Sequence, residues 1–89
     1  MYLTLRLSPS LQYSVDGKTE FSLQGETIGE CISAEKKNYA GLSELLFKAN
    51  KLNPQILLFH NNTLIREDSF DTSISEKDVL DVVPAIEAG

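Results

Sequence analysis

From Tyr2 to Leu7 the chain alternates, with Leu3, Leu5 and Leu7 on one side and Tyr2, Thr4 and Arg6 on the other. A period of two with one apolar side predicts a half-buried strand. Ser8-Pro9-Ser10 breaks the pattern, and Asp16-Gly17 marks a turn. Alternation resumes from Lys18 to Leu23, with Thr19, Phe21 and Leu23 together. The two runs predict an antiparallel hairpin whose loop is longer than the tightest turns.

The period then changes at "GETIGECI". Thr27 is placed as a helix N-cap and Glu30 follows three residues later, the spacing of a capping box. Ile28, Cys31 and Ile32 recur at helical spacing and should pack on the leucine side of the hairpin. Gly29 weakens this helix. A second helical patch, Leu42 to Phe47, is either a continuation after a kink or a separate short turn. Asn53-Pro54 breaks the chain again before an apolar run, Ile56-Leu57-Leu58-Phe59, which reads as a strand with two apolar sides. Asn61-Asn62 is a two-residue turn candidate, since asparagine tolerates positive φ, and Thr63 to Ile65 is the return strand. The polar stretch "REDSFDTSISEKD" carries two anchors, Phe70 and Ile74. Val79 to Val83 is the last strand, with Asp81 toward water beside Val79 and Val83, and with Leu80 and Val82 inward.

The order is strand, strand, helix, strand, short strand, strand. A leading hairpin and a closing strand around one helix predict an α+β layer arrangement. If the first and last strands are neighbours they run parallel, as a helix-bearing crossover permits. That is the ubiquitin-like β-grasp layout: a mixed sheet of four to five strands packed on one main helix. The expected boundaries are a body over 1–84 and a flexible C-terminal tail over 85–89.

Composition narrows the function. The 89 residues suffice for one small domain, and 42% hydrophobic with 24% charged residues are globular values. A net charge of −5 argues against nucleic acid and suits a basic protein partner. The single cysteine, Cys31, allows no disulfide within the chain and no four-cysteine metal site, which fits a reducing cytoplasm. No run is long enough to span a membrane, and "MYLTLRLSPS" lacks the features of a secretion signal. No bound cofactor and no metal site are expected.

Few side chains look reactive. Cys31 lies on the inward helical stripe and reads as a small core residue. His60 has no evident partner in sequence and reads as a solvated turn histidine. Glu26, Glu30 and Glu35 read as helix N-terminal and solvated charges. The two-sided strand is more informative. Whichever parity points inward, either Ile56 and Leu58 or Leu57 and Phe59 stay on the helix-free side. With Val79 and Val83 they would form an apolar patch of the kind that marks a docking surface. Self-association, or cover by the "REDSF" connection, are the competing explanations.

Several stretches together resemble the MoaD/ThiS-type small sulfur carriers, the family of the molybdopterin-synthase small subunit and the thiamine-pathway carrier. They are "GETIGECI", "YAGLSELLF", "LLFHNNTLIR" and "SFDTSISEKDVLDVVPAIEAG". They occur in the family's order and cover the chain from about Lys18 to Gly89. The subgroup most similar includes carriers serving cysteine synthesis. Three positions depart from the pattern. Ala88 stands where the penultimate glycine of the tail is usual, Asn62 replaces a turn glycine, and Glu76-Lys77-Asp78 replaces an Asp-Gly-Asp turn.

The resemblance implies that Gly89 is the sulfur-accepting residue. Its carboxylate would be adenylated by an activating enzyme, converted to a thiocarboxylate, and would then give its sulfur to a synthase subunit in molybdopterin, thiamine or cysteine biosynthesis. The chain has no G-x-x-x-x-G-K-[ST] loop, so ATP and Mg would belong to the activating partner. Partner contacts are expected at Pro84, Ala85, Ile86, Glu87, Ala88, Phe59, Val79 and Val83. A terminal glycine alone is uninformative, because glycine and frayed ends are common. The strand order and the "VVPAIEAG" context make it a candidate. The alternatives are a ubiquitin-like modifier joined to lysines and a non-catalytic interaction domain with an inert tail. With no nucleophile–base pair evident, an enzyme in its own right is the least favoured reading.

Overall fold

The computed structural model describes residues 1–11, 17–38, 40–49 and 51–88. Strand β1 (Tyr2–Leu7) pairs antiparallel with β2 (Glu20–Gln24), with Leu5 opposite Phe21 and Leu3 opposite Leu23. These four side chains are almost wholly buried, as their alternation predicts. Helix α1 (Ile28–Asn38) follows and lays Ile28, Cys31 and Ile32 on that apolar surface. Its start is fixed by the expected cap: the Glu30 N–H donates to Thr27 Oγ1 at 3.1 Å. The return bond reaches one residue further back than the standard box, with Glu26 N–H donating to Glu30 Oε1 at 3.5 Å.

Helix α2 (Ala40–Leu46) is a separate element and buries Leu42 and Leu46. Phe47, expected in that helix, instead opens a small hairpin, β3 (Phe47–Lys48) with β4 (Lys51–Leu52). Ala49 at its turn has φ +53. Two-residue strands carry no periodicity, so the sequence pattern could not disclose them.

The main sheet is completed by β5 (Ile56–His60), β6 (Thr63–Ile65) and β7 (Val79–Pro84). Its order is β2-β1-β7-β5-β6, with β1 and β7 parallel and the other pairings antiparallel. The closing strand therefore lies at the centre of the sheet. The β5–β6 turn has φ +49 at Asn61 and +72 at Asn62. Two positive values in succession match the right-handed twist of a two-residue hairpin. In the long connection Ile74 is buried and Phe70 packs on the core from the side. Helices cover one side of the sheet, and among the described residues no element covers the other, open side. This is the expected five-stranded β-grasp.

Candidate functional site

The C-terminal tail is positioned by the central strand. Leu80 and Val82 are fully buried, which holds β7 against the helices. Val79, Asp81 and Val83 point to the open side and are half-buried. Pro84 pairs opposite Ile56 and is the last residue of β7. Having no N–H, it cannot extend the ladder. The next N–H, of Ala85, donates to the Gln55 carbonyl at 2.9 Å. Ala85–Ala88 then form one short helical turn, α3. Ile86 is 91% exposed, the most open of the large apolar side chains described. Glu87 and Ala88 lie in α3, and the Gly89 expectation falls outside the described residues.

Asn53 anchors the loop before β5, beside the tail. It is 4% exposed and hydrogen-bonded through both its amide nitrogen and its amide oxygen. Its Nδ2 donates to the Leu45 carbonyl at 2.9 Å, and its Oδ1 accepts the Gln55 N–H at 2.9 Å. The carbonyl that receives Ala85 is thus fixed by a buried side-chain amide. A cleft of about 420 Å³, lined by Leu11, Leu45, Pro54, Ile56, Pro84 and Ile86 among others, opens at the base of the tail.

The open side of the sheet resolves the parity question. Ile56 and Leu58 point inward, so Leu57 and Phe59 face out with Val79 and Val83. Leu64, 45% exposed, stands opposite Phe59 on β6 and extends the patch. Leu57 pairs across from Val83. Three of the expected contact residues, Phe59, Val79 and Val83, are therefore brought onto one surface. It is continuous along β7 with Pro84 and Ala85.

Two polar constellations escaped the sequence reading. Arg6 and Asp81 are register partners on β1 and β7, and they form a bidentate pair on the open side. Arg6 Nε donates to Asp81 Oδ1 at 2.7 Å, and Nη2 donates to Oδ2 at 3.0 Å. The hydrogen bond and charge of Asp81 raise the Arg6 pKa above its ordinary value. A shallow cleft of about 630 Å³ lies beside the pair, bordered by Ser8, Pro9, Phe59 and Val83.

The second constellation corrects the reading of His60. It is not a solvated turn residue, because its side chain is 16% exposed and its Nε2 lies 2.9 Å from Asp78 Oδ2. Asp78 also accepts the Ser75 N–H at 2.9 Å and the Asn61 Nδ2 at 3.0 Å. Asn61 Oδ1 in turn accepts the Val79 N–H at 2.9 Å. The Ser75 N–H holds the Asp78 carboxyl below its usual range against the opposing effect of burial, and Asn61 and His60 add to this. The partner lies 18 residues away, so no local pattern could announce it.

Cys31 is buried at 0% exposure, the core role its position indicates. Among the described residues no group of three or more His, Cys, Asp and Glu is arranged to hold a metal ion. No described helix is long and apolar enough to cross a membrane.

A β-grasp body whose central strand runs directly into a short C-terminal tail is the architecture of the small ubiquitin-like carriers. The chain belongs to the ThiS family, whose model matches residues 10–89. It is therefore one of the sulfur carriers of biosynthesis, a carrier rather than a catalyst. It is 28% identical over 93 residues to the sulfur carrier protein CysO of Mycobacterium tuberculosis, with both chains covered in full. The crystal structure of that organism's CysO superposes with a TM-score of 0.75, covering 93% of this chain and 98% of that one. The solution structure of small archaeal modifier protein 1 from Methanosarcina acetivorans gives 0.78 at 20% identity, covering 99% and 96%, a likeness of fold alone.

Proposed function

We propose that the β-grasp body over residues 1–84 presents the tail over 85–89 to an adenylating enzyme. The Gly89 carboxylate is the group that reacts. One carboxylate oxygen attacks the α-phosphorus of ATP and releases pyrophosphate, giving a mixed anhydride with AMP. A sulfide-level donor then adds to the carbonyl carbon and expels AMP, leaving a thiocarboxylate. ATP and magnesium sit in the partner, which also stabilises the developing charge. The loaded chain then hands its sulfur to a synthase subunit in cysteine or cofactor biosynthesis. A cytoplasmic setting suits the lone reduced thiol.

The observation that supports this reading most is the exit of the tail. It leaves the central strand at Pro84, beside an apolar sheet surface, with Ile86 91% exposed. Opened from its single helical turn, the tail reaches at most about 18 Å, enough to enter a channel while the body stays docked outside. Phe59, Val79 and Val83 contact the partner's body. Pro84, Ala85, Ile86, Glu87 and Ala88 line its channel. Glycine at the reacting end leaves the carbonyl open from both sides.

The test is pyrophosphate exchange. With the organism's adenylating enzyme of the carrier-activating class, labelled pyrophosphate should enter ATP only when this chain is added. Exchange that ignores the chain contradicts the proposal.

A further inference from the structure

The open side of the sheet is divided along β7. The registers align Glu20, Arg6, Asp81, Phe59 and Leu64 in one row across all five strands. On β2 and β1 the outward positions are polar, apart from the exposed Tyr2. On β7, β5 and β6 they are Val79, Val83, Leu57, Phe59 and Leu64, with Asp81 as the one carboxylate among them. Arg6 is the one cation among the described outward side chains of the five strands.

A carboxylate inside an apolar docking patch opposes docking, because a covered charge without a counterion is costly. Asp81 brings its counterion with it, since both its oxygens are taken by Arg6. The reverse is not true. A guanidinium has five N–H donors, and Asp81 occupies one on Nε and one on Nη2. Nη1 makes no hydrogen bond among the described residues, and the Arg6 side chain is 51% exposed. The cleft beside it gives an incoming side chain room between Arg6 and Phe59. An exposed pair of this kind adds little to stability, and that leaves its placement at the boundary of the patch to be explained.

We propose that Arg6, held in orientation by Asp81, sets the register of the docked adenylating enzyme by receiving a carboxylate of that enzyme on its outward donors. The enzyme's apolar side chains meanwhile cover Phe59 and Val83. The inference rests on the carrier reading above. It fits the charge balance at two ranges. The net −5 attracts a partner that is basic overall, and the one outward cation fixes where that partner's acidic group must sit.

Steady-state activation by the same enzyme, with the full chain as varied substrate, tests it. Arg6→Ala should raise the KM for the chain about tenfold or more, with the loss in KM rather than kcat. The deciding variant combines Arg6→Asp with Asp81→Arg. It rebuilds the β1–β7 pair with the charges exchanged, so the thermal midpoint should stay at that of the wild type while KM is raised as in Arg6→Ala. If the exchanged pair brings KM back to the wild-type value, the pair only fastens the two strands and the inference is overturned. If Arg6→Ala keeps the wild-type KM, the inference alone fails. If the wild type is never activated, the carrier reading fails and takes the inference with it.

Discussion

Asp78 concentrates more polar structure than any other described side chain. Its carboxylate receives the Ser75 N–H, the Asn61 amide and the His60 ring, and so ties the β5–β6 turn to the start of β7. Asp78→Ala leaves these partners without their acceptor and should cost about 1–3 kcal/mol, read from denaturant midpoints. The pH dependence has a definite sign. The carboxyl is lowered in the folded state, chiefly by the Ser75 N–H. At neutral pH it is ionised both folded and unfolded, and its contribution is complete. As pH falls through the unfolded value of about 3.9, the unfolded chain takes the proton first and the contribution drains away toward the lower folded value. The stability gap between wild type and Asp78→Ala should therefore be constant near neutrality and close below about pH 4. A gap that widens in acid would contradict this assignment. His60 shows why such a site was not legible in the sequence. Its partner is distant along the chain, and only the folded register of β5 against β7 brings them together.

At the scale of elements, the legible parts were those whose burial imposes a period. β1 and β2 alternate because one side meets the helices, and in β7 the single carboxylate, Asp81, marks the outward side. The start of α1 was readable because Thr27 and Glu30 carry their own hydrogen-bonding logic. The β3–β4 hairpin was not, because two residues per strand cannot display a period. The close approach of the chain at Gly25 was also hidden. A Cβ placed there would lie 2.8 Å from the Cys31 backbone nitrogen and 3.0 Å from its Sγ. The clash is with main chain, so relief requires the first turn of α1 to move away from the hairpin. Gly25→Ala should destabilise the fold by about 1–3 kcal/mol in chemical denaturation, the range for overpacking a tight contact. A neutral result would show that α1 can shift without loss.

Over the whole molecule, the proposed role divides a docking body from a reacting end. Helices bury one side of the sheet, which leaves the other side to carry Phe59, Val83 and the Arg6–Asp81 pair beside the tail's exit. The class of protein was legible from the order of stretches that resemble the sulfur carriers, and the apolar patch from the two-sided strand. The division of that surface by an ion pair was not, because Arg6 and Asp81 stand 75 residues apart. In the proposed role, Ala88 adds a single methyl, where the resemblance leads one to expect glycine, to the segment that would enter the partner. Ala88→Gly should leave sulfur loading unchanged or improve it.

The most direct measurement is an intact mass of the chain after incubation with its adenylating enzyme, ATP and a sulfide donor. The mass should rise by the replacement of one C-terminal oxygen by sulfur. Deletion of Gly89 should abolish the rise while the thermal midpoint is unchanged. An unaltered mass for the wild type in the presence of an enzyme that adenylates other carriers, or normal loading of the Gly89 deletion, would contradict the proposed role.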